Sequence, residues 1–363
     1  MKVAYHGDSF RYVGSDFRDI NKVKKIINAD VLDAWYDPSP KVVKKIKDHV
    51  PWIVRTAPPI HGKGLISTIS KVRHIPENNI IIGGGSSDLI YLSLYHLLNK
   101  NSKVVILDPM YGEYSHLIEQ IGIKPINNFQ NKENGFTINH RKIVENSNGA
   151  DMIILVNPNN PTSQLIKKDT MKLILDSIDQ STILFVDETY VDFSGTKNSI
   201  ETRTSKYSNL VVLKSMSKFY ALSGARVAYL SASGKIIDKL RNFSPPWSVS
   251  LFGQIAGIEA LKDEKYYRRK VAETHKLRKK FSADLSSING LKIYDSAANF
   301  ILMEILNKKT APEVCEKMKK KNIYIRNCDS QSLRFKSNFI RTAVKDERSN
   351  LRIFRALKEI IEK

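Results

Sequence analysis

The chain has 363 residues, 42% hydrophobic and 26% charged, the balance of an ordinary globular protein, and this length suits one large domain with a smaller one beside it. A formal charge of +21 would suit nucleic-acid binding, but the basic residues are spread out, densest at 266–280 and 316–321, with no zinc finger, RNA-binding signature or basic tail. No apolar run nears the roughly 20 residues that cross a bilayer, the start lacks an apolar leader core, and Cys315 and Cys328 have no metal-ligand spacing. We therefore expect a cytoplasmic protein with no metal, membrane or nucleic-acid partner, whose positive charge speeds its encounter with anionic substrates.

In chain order, the apolar run Ile80-Ile81-Ile82 precedes a helical pattern over Ser87–Leu98. Further apolar runs follow at Val104–Leu107, Met152–Val156, Ile183–Val186 and Leu210–Leu213, with an amphipathic stretch at Lys167–Ile178. Continuous apolar runs mark strands buried on both faces. Their alternation with helices predicts an α/β fold around a largely parallel sheet, whose ligands bind beyond the strands' carboxyl ends. The pattern changes near Pro245-Pro246. A long basic helix is predicted over Leu251–Ile288, strands within Leu291–Ile305, a helix at Pro312–Lys321, a strand at Phe339–Val344 and a closing helix at Glu347–Glu362. This reads as a small α+β domain resting on the larger one.

Four polar clusters stand at these strand ends. Gly83-Gly84-Gly85-Ser86-Ser87-Asp88 opens a helix, where glycines and free N–H groups suit an anion, although a plain turn with a serine cap reads equally well. Asn157-Pro158-Asn159-Asn160-Pro161-Thr162 is a stiff loop after a strand. Asp187-Glu188-Thr189-Tyr190 puts a carboxylate where it needs a cation; a metal would serve, but no other acidic or histidine cluster supports one. Leu213-Lys214-Ser215-Met216-Ser217-Lys218, followed by Ser223-Gly224-Ala225-Arg226, suits a Schiff-base lysine beside an anion site, with Lys214 competing for the role.

Taken in order from about Leu32 onward, these clusters resemble the fold-type I pyridoxal-phosphate enzymes, in the branch of histidinol-phosphate aminotransferase and threonine-phosphate decarboxylase. The resemblance implies a large cofactor domain with a mostly parallel sheet between helices (32–248), a small C-terminal α+β domain (249–363) and an N-terminal arm (1–31). It assigns Lys218 the covalent bond to pyridoxal 5'-phosphate and the later proton transfer. It gives Asp187 the pyridine nitrogen, Asn160 and Tyr190 the ring oxygen, and Tyr111 of Asp108-Pro109-Met110-Tyr111-Gly112 the ring face. Ser86, Ser87, Ser215, Ser217 and Arg226 would cradle the phosphate. Arg341 of Phe339-Ile340-Arg341-Thr342 would clamp the substrate carboxylate, with Asn299 of Ala298-Asn299-Phe300 and Arg326 of Tyr324-Ile325-Arg326-Asn327-Cys328 also toward the substrate. For Arg326 a salt-bridged strand arginine is an equal reading, and His6, Asp8 and Arg11 of the arm read as surface residues.

The chain departs from that pattern at the substrate wall. Asp33-Ala34-Trp35-Tyr36-Asp37-Pro38 stands where the family has Asn-Glu-Asn-Pro, and Arg55–His61 lacks the tyrosine that a second subunit would bring to the phosphate. Ser163 replaces a glycine. The implied function is amino transfer between a small, anionic amino acid and a 2-oxo acid in a homodimer; the alternative is decarboxylation of an O-phospho amino acid. A DNA-binding regulator on this fold would need a helix-turn-helix extension, which is absent.

Overall fold

The structure, a computed structural model, describes Gly7 and residues 9–363. His6 and Asp8 lie outside the described residues, and Arg11 is exposed. Thirteen strands are present among the described residues: β1 Ile27–Asn28, β2 Ile80–Gly83, β3 Val104–Asp108, β4 Ile126–Phe129, β5 Met152–Val156, β6 Ile183–Asp187 and β7 Leu210–Ser215, then β8 Ala228–Ala232, β9 Leu291–Ile293, β10 Phe300–Ile305, β11 Ile323–Tyr324, β12 Arg326–Asn327 and β13 Phe339–Ala343.

The main sheet has seven strands in the order β2-β8-β7-β6-β5-β3-β4. Its core pairs β7-β6-β5-β3-β4 are parallel, and β8 runs against both neighbours. Every residue of β5 and β7 is buried, which is why these strands read as unbroken apolar runs. The five predicted apolar runs are all strands. Two strands escape that pattern: β4 is a half-exposed edge, Ile-Asn-Asn-Phe, and β8 is Ala-Tyr-Leu-Ser-Ala, built from small residues.

The second sheet, β12-β13-β10-β9, is antiparallel throughout. Helix Glu264–Ser286 packs on β9 and helix Ala311–Lys320 on β12 and β13, and both pack against helix Glu347–Glu362. The long helix expected over 251–288 is two, Leu251–Leu261 and Glu264–Ser286, broken at Lys262-Asp263. The first of them packs on Pro40–Arg55 and Lys63–Arg73. It thus sits against the large domain although it lies in the C-terminal part of the chain.

One segment ties the two units together. β1 pairs in parallel with β11, Ala343 N–H donates to Ala29 O, Asn299 Nδ2 donates to Leu32 O, and Tyr36 Oη donates to Phe219 O. Residues 27–36 therefore run from the small sheet to the loop carrying Lys218. The carboxyl ends of β3, β5, β6 and β7 are neighbours in the main sheet, so their loops converge beside this segment.

Candidate active site

A cleft of about 670 Å³ opens where those loops meet segment 27–36 and the small sheet. Its floor and wall include Ser86, Tyr111, Asn160, Asp187, Tyr190 and Lys218 from the main sheet's side. Arg326, Gln331 and Arg341 close it from the other. Thirteen residues were singled out from sequence, and the cleft lining takes in eight of them.

Asp187 ends β6 and is buried. Tyr114 Oη donates to its Oδ2 at 2.9 Å, while Thr189 donates to Oδ1 from N–H at 2.9 Å and from Oγ1 at 2.5 Å. Burial pushes this carboxyl above its ordinary value, although the bonds from Thr189 and Tyr114 pull it down. Such a carboxylate calls for a cationic partner in the cleft.

Asn160 follows β5 and is held by two donors. Arg341 Nη1 donates to its Oδ1 at 2.5 Å and Gln331 Nε2 at 3.3 Å. Arginine has no acceptor, so the bonded atom of Asn160 is its oxygen, and the amide's Nδ2 remains the end that can donate. Arg341 also donates through Nη2 to Asp30 O at 2.8 Å, and its guanidinium lies 5.6 Å from the Phe300 ring centre. Arg326 is its cross-strand partner in the register of β12 and β13, and Asp30 Oδ1 lies 3.5 Å from its Nη1. Tyr190 packs edge-on against Phe300, and burial raises its phenol well above the usual range.

The two candidate lysines separate cleanly. Lys218 borders the cleft, with Nζ 2.9 Å from Asp33 Oδ1. Lys214 is only 2% exposed and lies in a buried ionic cluster, 3.2 Å from Asp192 and 3.4 Å from Glu188. Burial alone would depress its ammonium, but Asp192, Glu201 and Glu188 together raise it. It is a structural ammonium and not a nucleophile.

At the anion end, helix Ser86–Leu97 starts on Gly85 without a side-chain cap, which leaves first-turn N–H groups for a ligand. Gly85 has φ +105°, and a Cβ there would come within 2.1 Å of Arg226 Nη2. Only glycine lets that guanidinium lie over the helix start. Ser215 Oγ accepts from Ser217 N–H, and both serines are buried beside Lys218. This uncapped helix start, serine pair and arginine fit a phosphate, as Asp187 fits a ring cation.

Two of the singled-out residues have their polar groups committed elsewhere. Ser87 Oγ donates to Glu113 Oε2 at 3.1 Å, the oxygen that also accepts from Tyr111 Oη at 2.7 Å. Asn299 spends its Nδ2 on Leu32 O and does not border the cleft. Conversely, Tyr114, Glu113, Gln331 and Asp33 take part without having been chosen. Tyr114 and Glu113 lie within three residues of Tyr111 on a helix expected from no motif, and Asp33 stands in the stretch marked as a departure.

The profile of the aminotransferase class I and II family matches residues 27–357. Histidinol-phosphate aminotransferase of Methanococcus maripaludis is 28% identical over 343 residues, covering 93% of this chain and 91% of its own. The crystal structure of the histidinol-phosphate aminotransferase from Clostridium acetobutylicum superposes with a TM-score of 0.82 at 26% identity, over 91% of this chain and 98% of that one. The L-threonine-O-3-phosphate decarboxylase from Porphyromonas gingivalis shares the fold, with a TM-score of 0.78 at 21% identity, over 93% of this chain and 100% of that one.

Proposed function

The chain belongs to the class I and II aminotransferase family, and from that membership we propose that it moves an amino group between a small, anionic amino acid and a 2-oxo acid. Its cofactor is pyridoxal 5'-phosphate, which supplies an aldehyde to capture amines and a cationic ring to draw electrons from the substrate's Cα. Lys218 Nζ would supply the amine that holds the cofactor and would afterwards carry the proton. Asp187 keeps the ring nitrogen protonated. Asn160, oriented by Arg341 and Gln331, would hold the ring oxygen together with Tyr190, and Tyr111 would lie on the ring's side of the cleft. The start of helix Ser86–Leu97, with Ser86, Ser215, Ser217 and Arg226, holds the phosphate.

Arg341 takes the substrate carboxylate. The observation that carries this reading is the convergence on one cleft of Lys218, Asp187 and Asn160 from three successive strand ends, with Arg341 facing them. We take 32–248, with helix Leu251–Leu261 packed on it, as the cofactor unit and the rest of 249–363 as the substrate-side unit of a homodimer. Exposed Ile60 and Trp247, whose neighbours His61 and Ser248 lie by Pro246 and Gly84 near the phosphate end, support a subunit contact there.

A second reading, decarboxylation of an O-phospho amino acid, is favoured by the second buried guanidinium, Arg326, which suits a further anionic group. Mixing the loaded protein with candidate amino acids, phosphorylated ones included, separates the readings. Amino transfer predicts loss of the cofactor's visible band, release of the 2-oxo acid and recovery of the band on adding a 2-oxo acid. Carbon dioxide release with the band retained would replace it by the second reading, and an unchanged spectrum with every amino acid would sink both.

A further inference from the structure

We propose that Asp33 is the counter-charge of Lys218, stabilising the ammonium that forms when this lysine takes a proton from the substrate's Cα. The proposal rests on the cofactor reading above and adds a residue that the sequence left outside the site. Lys218 Nζ donates to Asp33 Oδ1 at 2.9 Å, and Ser223 Oγ donates to the same oxygen at 2.6 Å. Ser223 Oγ also lies 3.1 Å from Ser217 O, so the carboxylate is bound to the loop that carries the lysine.

The backbone around Asp33 is held on both sides. Leu32 O accepts from Asn299 Nδ2, and Tyr36 Oη donates to Phe219 O. Asn299 thereby acts on the site through Asp33's own strand of chain. The charged and titratable groups facing the carboxylate are Lys218, Lys345 just beyond β13, and the phenol of Tyr190. Burial would raise the Asp33 carboxyl, but Lys218 and the Ser223 hydroxyl outweigh it and hold it below its ordinary value, with Lys345 adding to the effect. The carboxylate is thus ionised at neutral pH.

A fixed negative charge at this distance acts on each change of charge at Lys218. In proton abstraction the Cα–H bond breaks, an N–H bond forms on Lys218, and the electron pair stays in the conjugated system joined to the substrate. The lysine passes from neutral to positive beside a preoriented carboxylate, which favours the change. The same charge works against loading, because only the neutral amine attacks the cofactor's aldehyde and Asp33 favours the ammonium. Removing the charge therefore has opposite effects on the two steps, a pattern that general damage to the fold does not produce.

Asp33→Asn keeps the size and an acceptor while removing the charge. When the cofactor is added to the full-length cofactor-free variant at neutral pH, its visible band should grow about threefold faster than in the parent, the factor a partly exposed ion pair supports. After loading, the spectral change on adding an amino acid should be about tenfold slower, a loss of one decade in transition-state stabilisation. Deuterium at the amino acid's Cα should slow Asp33→Asn more than it slows the parent. Asp33→Glu, which restores the charge, should return both rates toward the parent.

Both rates falling together, or neither moving, would overturn the proposal while leaving the cofactor reading intact. A parent protein that forms no band, or a Lys218→Ala variant that retains one, would overturn both.

Discussion

Asp187 shows how one carboxyl is set by opposed effects. Burial favours its protonated form, and three donors from Tyr114 and Thr189 favour the ionised one; burial is the larger. Because the folded value lies above the unfolded one, the proton on Asp187 contributes stability to the cofactor-free protein that is present below the unfolded value and lost as pH rises through the folded one. The same titration weakens cofactor binding in acid, since a neutral carboxyl cannot hold the ring cation. Affinity should therefore begin to fall at a pH above the ordinary carboxylate range. Tyr114→Phe removes a donor to the carboxylate, so the falling limb should move to still higher pH and the dissociation constant at neutral pH should rise about tenfold, the worth of one hydrogen bond to a charged group. Cofactor titrations across pH check this; superimposable profiles for variant and parent would contradict it. Asp187 itself was legible from its place after an apolar run. Tyr114 was not, because a buried tyrosine on an amphipathic helix looks in sequence like any core residue.

At the scale of elements, β7 carries two lysines to different ends. Lys214 is within the strand, in a cluster where Arg73 and Lys214 face Glu188, Asp192 and Glu201. Lys218 lies past the strand end, where the chain turns back toward β8. Two cations against three carboxylates leave the cluster one negative charge in excess if all ionise, and burial raises Glu188 toward its neutral form. Lys214→Met would leave three buried carboxylates facing Arg73 alone. We expect a stability loss of about 3–5 kcal/mol, the cost of breaking a buried ion pair from one side. Denaturant unfolding of the cofactor-free protein measures it, and a loss below about 1 kcal/mol would show that the cluster is merely tolerated. Spacing alone left Lys214 in competition and only the family resemblance chose Lys218, because period and propensity give the strand without giving the charges that tertiary packing brings from Arg73, more than a hundred residues away. The buried parallel strands were legible throughout, for their hydrophobicity is imposed from both faces. The edge strand β4 and the antiparallel β8 were not: β4 is mostly exposed, and β8, though buried throughout, is built from alanine, serine and tyrosine around a single leucine.

For the whole molecule, order along the chain proved more informative than any single motif. Ser86, Asn160, Asp187, Lys218 and Arg341 are spread over some 250 residues, yet the parallel topology places the first four beside one another and the small sheet delivers the fifth. Composition and the +21 charge said little about this arrangement. They remain consistent with fast capture of anionic substrates, an effect that salt would weaken. What sequence left open is the wall opposite the lysine. Asp30 and Gln331 reach it, and Asp33 reaches Lys218 itself, only because segment 27–36 and the turn after β12 fold against the main sheet, and no local pattern announces such contacts. The central claim is that Lys218, among many lysines, captures the cofactor. Borohydride reduction of the loaded protein, followed by peptide mapping, tests it most directly. The account predicts one cofactor-labelled lysine, Lys218, with no label in Lys218→Ala; label on Lys214 or Lys345, or spread over surface lysines, would contradict it.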